Sequence, residues 1–127
     1  MAKAQGYRTG LVGKNRSHLD ASRLDFSREY SHLSGWKPPG GSKELDEYDA
    51  WMRHLNHGVS LTANPLPAEL QYPYRIVSDA IECIDNAGRQ PFALWVSFPE
   101  PHNPYQIPKP YFDLFPPRDV QARAVGP

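Results

Sequence analysis

The sequence predicts an α/β fold: a mostly parallel sheet with flanking helices and long Pro-rich loops. Three observations carry that reading. Two strand-like segments, Tyr7 to Val12 and Pro91 to Phe98, lie far apart, and the second is an apolar run without the polar alternation of a half-exposed strand. The chain between them carries two stretches of helical periodicity, the arrangement expected of a crossover between parallel strands. The 127 residues also include 14 prolines, about twice the usual share, so much of the chain must be irregular.

Taken in order, residues 1 to 5 suit the tail of a helix stopped by Gly6, and Tyr7 to Val12 form a short strand running into the turn Gly13-Lys14-Asn15. Leu24 to Tyr30 holds a further extended piece. The prolines and glycines of 35–41 exclude regular structure there. Ser42 is an N-cap for a helix over Lys43 to His57, whose early carboxylates suit the helix dipole. Its apolar face comprises Leu45, Tyr48, Trp51, Met52 and Leu55, and Gly58 ends it. Residues 59–74 read as a long connection. Arg75 to Ala87 is a helix with the stripe Ile76, Val77, Ala80, Ile81 and Ile84, stopped by Gly88. Pro91 to Phe98 then reads as a buried strand.

Composition excludes several functions. Fourteen basic residues balance fourteen acidic ones, so no net field recruits nucleic acid or an anionic membrane. No apolar run approaches the roughly 18 residues of a membrane span, and the first residues lack the apolar core of a signal peptide, so the chain as written is expected to be soluble and unexported. The single cysteine, Cys83, excludes an internal disulfide framework and a zinc ribbon.

Sites in open α/β sheets lie beyond the carboxyl ends of the strands. After the first strand comes Gly13-Lys14-Asn15-Arg16-Ser17-His18. Gly13-Lys14 is not a phosphate loop, because Arg8 and Asn15 stand where that motif needs glycine and a hydroxyl residue. Lys3, Arg8, Lys14 and Arg16 nevertheless make the first eighteen residues basic without a carboxylate, and a lysine ammonium suits a tetrahedral oxyanion. The alternative for Lys14 is a solvated surface lysine. After the last strand comes Pro99-Glu-Pro-His102-Asn-Pro104, where three prolines hold one histidine. His102 is either an anion ligand and general acid or a loop histidine bonded to a carbonyl. His54 and His57, three apart on a helix, could face a metal but lack a third ligand, and the helix dipole accounts for them equally well. Cys83, between apolar neighbours, reads as a small buried hydrophobe.

Two stretches resemble the sulfatase family of the alkaline-phosphatase-like superfamily. Gly6-Tyr-Arg-Thr-Gly-Leu-Val-Gly-Lys14 is similar to its strand and lysine loop, and Pro91-Phe-Ala-Leu-Trp-Val-Ser-Phe-Pro-Glu-Pro-His-Asn-Pro104 to its later strand and histidine loop. The resemblance implies a partial alkaline-phosphatase-like fold, with residues 1–127 an internal segment of a sulfatase catalytic domain, a sulfuric ester hydrolase. It implies that Lys14 and His102 contact the sulfate, and that the substrate is a sulfate ester, small molecule or sulfated glycan. It further implies calcium and a formylglycine nucleophile made from a Cys-x-Pro-Ser-Arg motif. Cys83 is followed by Ile-Asp-Asn, so the nucleophile is absent, no metal ligand is assigned, and the chain is expected to be inactive alone. Relatives are often exported, periplasmic or lysosomal, which leaves the compartment open. The family commonly places histidine two residues after the lysine. Here Arg16 stands there, so either His18 takes that role through a shifted loop or the role is lost. A non-catalytic anion-binding remnant is the alternative to the enzyme, and a phosphatase of the same superfamily a third reading. The resemblance requires the ends of Lys14 and His102 to lie within roughly 10 Å, with room for one anion.

Overall fold

The structure, a computed structural model, describes residues 2–119. It is α/β. Three parallel strands, β1 (Arg8–Gly13), β2 (Phe26–Glu29) and β3 (Phe92–Ser97), lie in the order β2-β1-β3. Gly10 of β1 pairs with Phe26 on one side and Leu94 on the other, and Gly13 pairs with Glu29 and Ser97. All three strands therefore end together. The sheet, its parallel sense and the flanking helices are consistent with part of an alkaline-phosphatase-like fold.

The long helix α2 (Tyr72–Ala87) crosses behind β1. Its approach needs Gly10, where a Cβ would fall 2.8 Å from Cys83 Sγ and 2.9 Å from Leu94 Cδ1. Val12, on the same face of β1 as Gly10, is fully buried in the core with Ile76, and Leu11 is fully buried on the opposite face. The shorter helix α1 (Lys43–Leu55) begins at Ser42, whose hydroxyl accepts the Leu45 N–H, and presents Tyr48 and Met52 to the core. A single turn, α3 (Lys109–Phe112), follows the last loop. No helix of the described residues is long and apolar enough to cross a membrane.

The core is built on tyrosines with their polar ends satisfied. Tyr72 lies edge-on to Tyr48 and Tyr30, and donates its hydroxyl to buried Asp49 at 2.9 Å, which Lys37 also pairs at 2.8 Å. Tyr30 donates to Asp79 at 2.6 Å, and Arg28 bridges Asp79 and Glu82. Burial beside Asp79 pushes the Tyr30 hydroxyl well above its usual range. These contacts tie both helices to the edge of the sheet.

Several expectations need correction. The strand at Phe92 to Phe98 is not buried: Phe92, Trp95, Val96 and Phe98 are exposed, because β3 is the sheet's edge and nothing among the described residues covers its outer side. The stripe of α2 is split likewise, with Ile76 and Ala80 buried and Val77, Ile81 and Ile84 exposed. That helix starts at Tyr72 rather than Arg75, since Pro73 fits its first turn, where no N–H is needed. Helix α1 ends at Leu55 and not His57, because Asn56 and His57 take left-handed backbone angles. The connection 59–74 is pinned at Val59 and Asn64 by bridges to Tyr105 and Pro108. The helical tail expected over 1–5 is a short 3-10 turn, Lys3–Gln5, closed by Gly6 in the left-handed region, and Met1 lies outside the described residues.

Candidate anion site at the carboxyl end of the sheet

Gly13 makes the site possible. Its φ is 107°, and a Cβ there would lie 1.7 Å from the Ser97 carbonyl oxygen, so only glycine lets the chain leave β1 this close to β3. The next N–H, of Lys14, donates to that oxygen at 3.0 Å. Lys14 is half-buried and Arg16 exposed. Their loop is held by Asn15, which donates to the Leu19 carbonyl and accepts from the Ser17 hydroxyl. The basic cluster read from the first eighteen residues divides at this point. Lys3 pairs with Asp25 at 2.6 Å and Arg8 donates to the Asn86 carbonyl, whereas Lys14 and Arg16 form no ion pair among the described residues.

Beyond β3, the His102 N–H closes a turn onto the Pro99 carbonyl, and both Glu100-Pro101 and Asn103-Pro104 peptides are cis. His102 Nδ1 lies 2.6 Å from the Asn103 carbonyl oxygen. A carbonyl can only accept, so Nδ1 carries the hydrogen and Nε2 is the free nitrogen. Asn103 in turn donates to the His57 carbonyl at 2.7 Å, which fastens this loop to the end of α1.

Two histidines that the motifs did not single out for this site complete it. His32, in the loop after β2, stacks on His102 with ring centroids 3.5 Å apart and planes 17° apart. His57 stands edge-on to both, at 6.1 Å from His32 and 5.9 Å from His102. Burial, then the positive fields of Lys14, His102, Arg16 and His57, lower the His32 pKa to about 4. At neutral pH His32 is therefore an uncharged ring, and its Nδ1 is buried without a partner.

Lys14 and Arg16 line a cavity of about 390 Å³ with Ser17, Trp95, Ser97 and Phe98. His32 and His102 line a second, of about 370 Å³, whose wall continues from Pro99. The two share no residue, so Lys14 and His102 stand at one end of the sheet but in neighbouring cavities rather than one. His32 lines the second, stacked on His102, and the charges of Lys14 and Arg16 help to lower its pKa. His18 is exposed and lines neither cavity; of the two candidates for the missing histidine's place, Arg16 is the one that lines a cavity with Lys14. His54 and His57 do not share a helical face. His57 has left the helix, and no group of three His, Cys, Asp or Glu among the described residues could hold one. Cys83 is buried against Gly10 in mid-sheet, away from this end, and burial raises its thiol pKa.

Both missed histidines had a signal. His32 follows the extended piece ending at Tyr30, so the rule that led to His102 applied to it too. Asn56-His57-Gly58 is a helix-stop sequence that takes His57 off the helical face.

No protein-family model matches the chain. It is 30% identical over 121 residues to a protein of Escherichia coli (strain K12) named "Uncharacterized sulfatase YidJ", an alignment taking in 89% of this chain and 24% of that protein. The chain thus spans about a quarter of the length of the curated relative it matches. The match supports a sulfatase-like relation.

Proposed function

We propose that residues 1–127 are a segment of a sulfatase catalytic domain and form the sulfate-binding flank of a sulfuric ester hydrolase. The observation that carries this reading is the gathering of Lys14, Arg16, His32, His57 and His102 at the carboxyl end of adjacent parallel strands, with Lys14 and Arg16 unpaired among the described residues. Lys14 donates to a sulfate oxygen as a compact ammonium. His102, its Nδ1 held by Asn103, offers Nε2 to a sulfate or leaving-group oxygen. Arg16 stays protonated, so it binds charge and moves no proton. Calcium does not fit the residues described here, since a hard cation needs several oxygen ligands and this site presents cations and imidazoles. No residue matches a formylglycine precursor, and Cys83 lies away from the site.

Isothermal titration of the chain with sulfate tests the reading: binding is expected, and Lys14→Ala and His102→Ala should each weaken it about tenfold or more, a loss of one charge-assisted hydrogen bond. Unchanged binding in both variants would overturn the site. Hydrolysis of an aryl sulfate with calcium is expected to be absent, and turnover that co-purifies with the chain would contradict the missing nucleophile. Arg16 favours a second reading, a non-catalytic anion-binding remnant. An in-frame Cys-x-Pro-Ser-Arg or Ser-x-Pro-Ser-Arg motif encoded upstream of Met1 selects the enzyme, and its lack selects the remnant.

A further inference from the structure

A cavity of about 610 Å³ opens between α2, α3 and the loop after β3, with Tyr74, Val77, Ile81, Ile107 and Tyr111 in its walls. None of the cationic or histidine side chains of the anion site lines it. Among the described residues its wall carries one charge, the Glu100 carboxylate, which forms no ion pair. Desolvation pushes that carboxyl above its usual range. The second polar feature is an amide that the core leaves half satisfied. The Leu66 N–H donates to Asn64 Oδ1, which turns the Asn64 amide nitrogen to Gln106 Oε1 at 2.7 Å. Gln106 must then offer Nε2 to Gln71 Oε1 at 2.8 Å, and the Tyr48 hydroxyl donates to the same oxygen at 3.1 Å. One backbone N–H, which can only donate, thus fixes the orientation of three amides in turn. Gln71 lines the cavity and is 6% exposed, and it is left with a buried Nε2 that has no acceptor. A buried donor left unpaired is costly, and a ligand oxygen would remove that cost.

These features select the ligand. A bare metal ion does not fit, since one carboxylate supplies too few oxygens for a hard cation and most of the wall is apolar. An anion would face Glu100 and meet no cation among the lining residues. An organic ammonium suits the whole wall: Glu100 pairs with its charge, the half-exposed rings of Tyr74 and Tyr111 offer it their negative faces, and Val77, Ile81 and Ile107 cover its apolar body. We propose that this cavity binds an apolar amino alcohol, with Glu100 as its counter-ion and Gln71 as the hydrogen-bond donor to its hydroxyl oxygen. The site stands apart from the sulfate reading above and does not depend on it.

The test is titration calorimetry of the 127-residue chain with three probes that share a phenyl ring: 2-amino-1-phenylethanol, 2-phenylethylamine and 3-phenylpropionate. The amino alcohol is expected to bind about tenfold more tightly than 2-phenylethylamine, the return of one hydrogen bond, and the propionate not to bind measurably. Glu100→Gln, which keeps the side chain's shape and removes its charge, should weaken the amino alcohol about tenfold or more. Ile81→Ser, at a side chain that is 54% exposed, should weaken both amines alike. Equal binding of the acid and the amines by the unaltered chain, or undiminished affinity in Glu100→Gln, would overturn the cation site. Equal binding of the two amines would overturn the part given to Gln71. A chain that sediments as a dimer and binds neither amine would give the cavity to a second copy instead.

Discussion

The two poles of this molecule treat charge in opposite ways. Between the helices and β2, each buried carboxylate is matched: Asp49 by Tyr72 and Lys37, Asp79 by Tyr30 and Arg28. At the carboxyl end of the sheet, Lys14 and Arg16 have no carboxylate partner among the described residues, and His32 keeps a buried nitrogen unbonded. Paired charges hold the first region in one arrangement. Unpaired cations gathered in the second raise the free energy of the empty site, a cost that an anion would remove on binding.

Variants at the two poles should therefore separate stability from binding. The largest loss of stability is expected from Asp79→Ala, which leaves the buried Tyr30 hydroxyl without its acceptor and Arg28 with Glu82 alone, and should cost about 3 kcal/mol in urea denaturation. A loss under about 1 kcal/mol would mean that the network relaxes freely. Next is Gly13→Ala, where the added Cβ meets the Ser97 oxygen at a positive φ. A cost of about 2 kcal/mol is expected, together with weaker sulfate binding as Lys14 is displaced. At the cationic pole the balance reverses: Lys14→Ala should leave stability within about 0.5 kcal/mol, or raise it slightly, while lowering sulfate affinity.

The subtlest effect is in pH. His32 titrates at about 4 when folded against an ordinary value of 6.5, so between those values the unfolded chain binds the extra proton. Its contribution to stability is complete above pH 6.5 and falls as pH drops toward 4. His32→Phe keeps the ring stack on His102 and should flatten this part of the pH–stability curve, whereas His32→Ala should also loosen His102. An unaltered slope in His32→Phe would show that another group titrates there. If His32 links the two cavities, His32→Ala should further weaken the effect of Lys14→Ala on ligands held by His102, which a double-mutant cycle measures.

Much of this arrangement was legible in the residues, and what was not has a common cause. Helix α2, the cap at Ser42 and the position of β3 follow from local periodicity and from side chains that bond to their own backbone neighbourhood, and these signals act within a few residues. The loops carrying Lys14 and His102 were found because strand ends are predictable and sites gather beyond them. Burial was misjudged at Phe92 to Phe98 and along α2, since an apolar run states that a surface needs cover and not what covers it.

Residue order by itself determined the α/β class, the loops that carry Lys14 and His102 beyond β1 and β3, and the lack of a matching nucleophile around Cys83. Only the tertiary structure decided that β1 is the central strand, that Arg16 rather than His18 lines a cavity with Lys14, that Lys14 and His102 line separate cavities, and that His32 and His57 pack against His102. The physical reason lies in the paths of the loops. A strand or helix repeats its geometry every few residues and so writes a period into the sequence. The stack of His32 on His102 depends on where two aperiodic loops end in space, which is set by the parallel register of β1 with both neighbours and by the left-handed turn at Asn56 and His57.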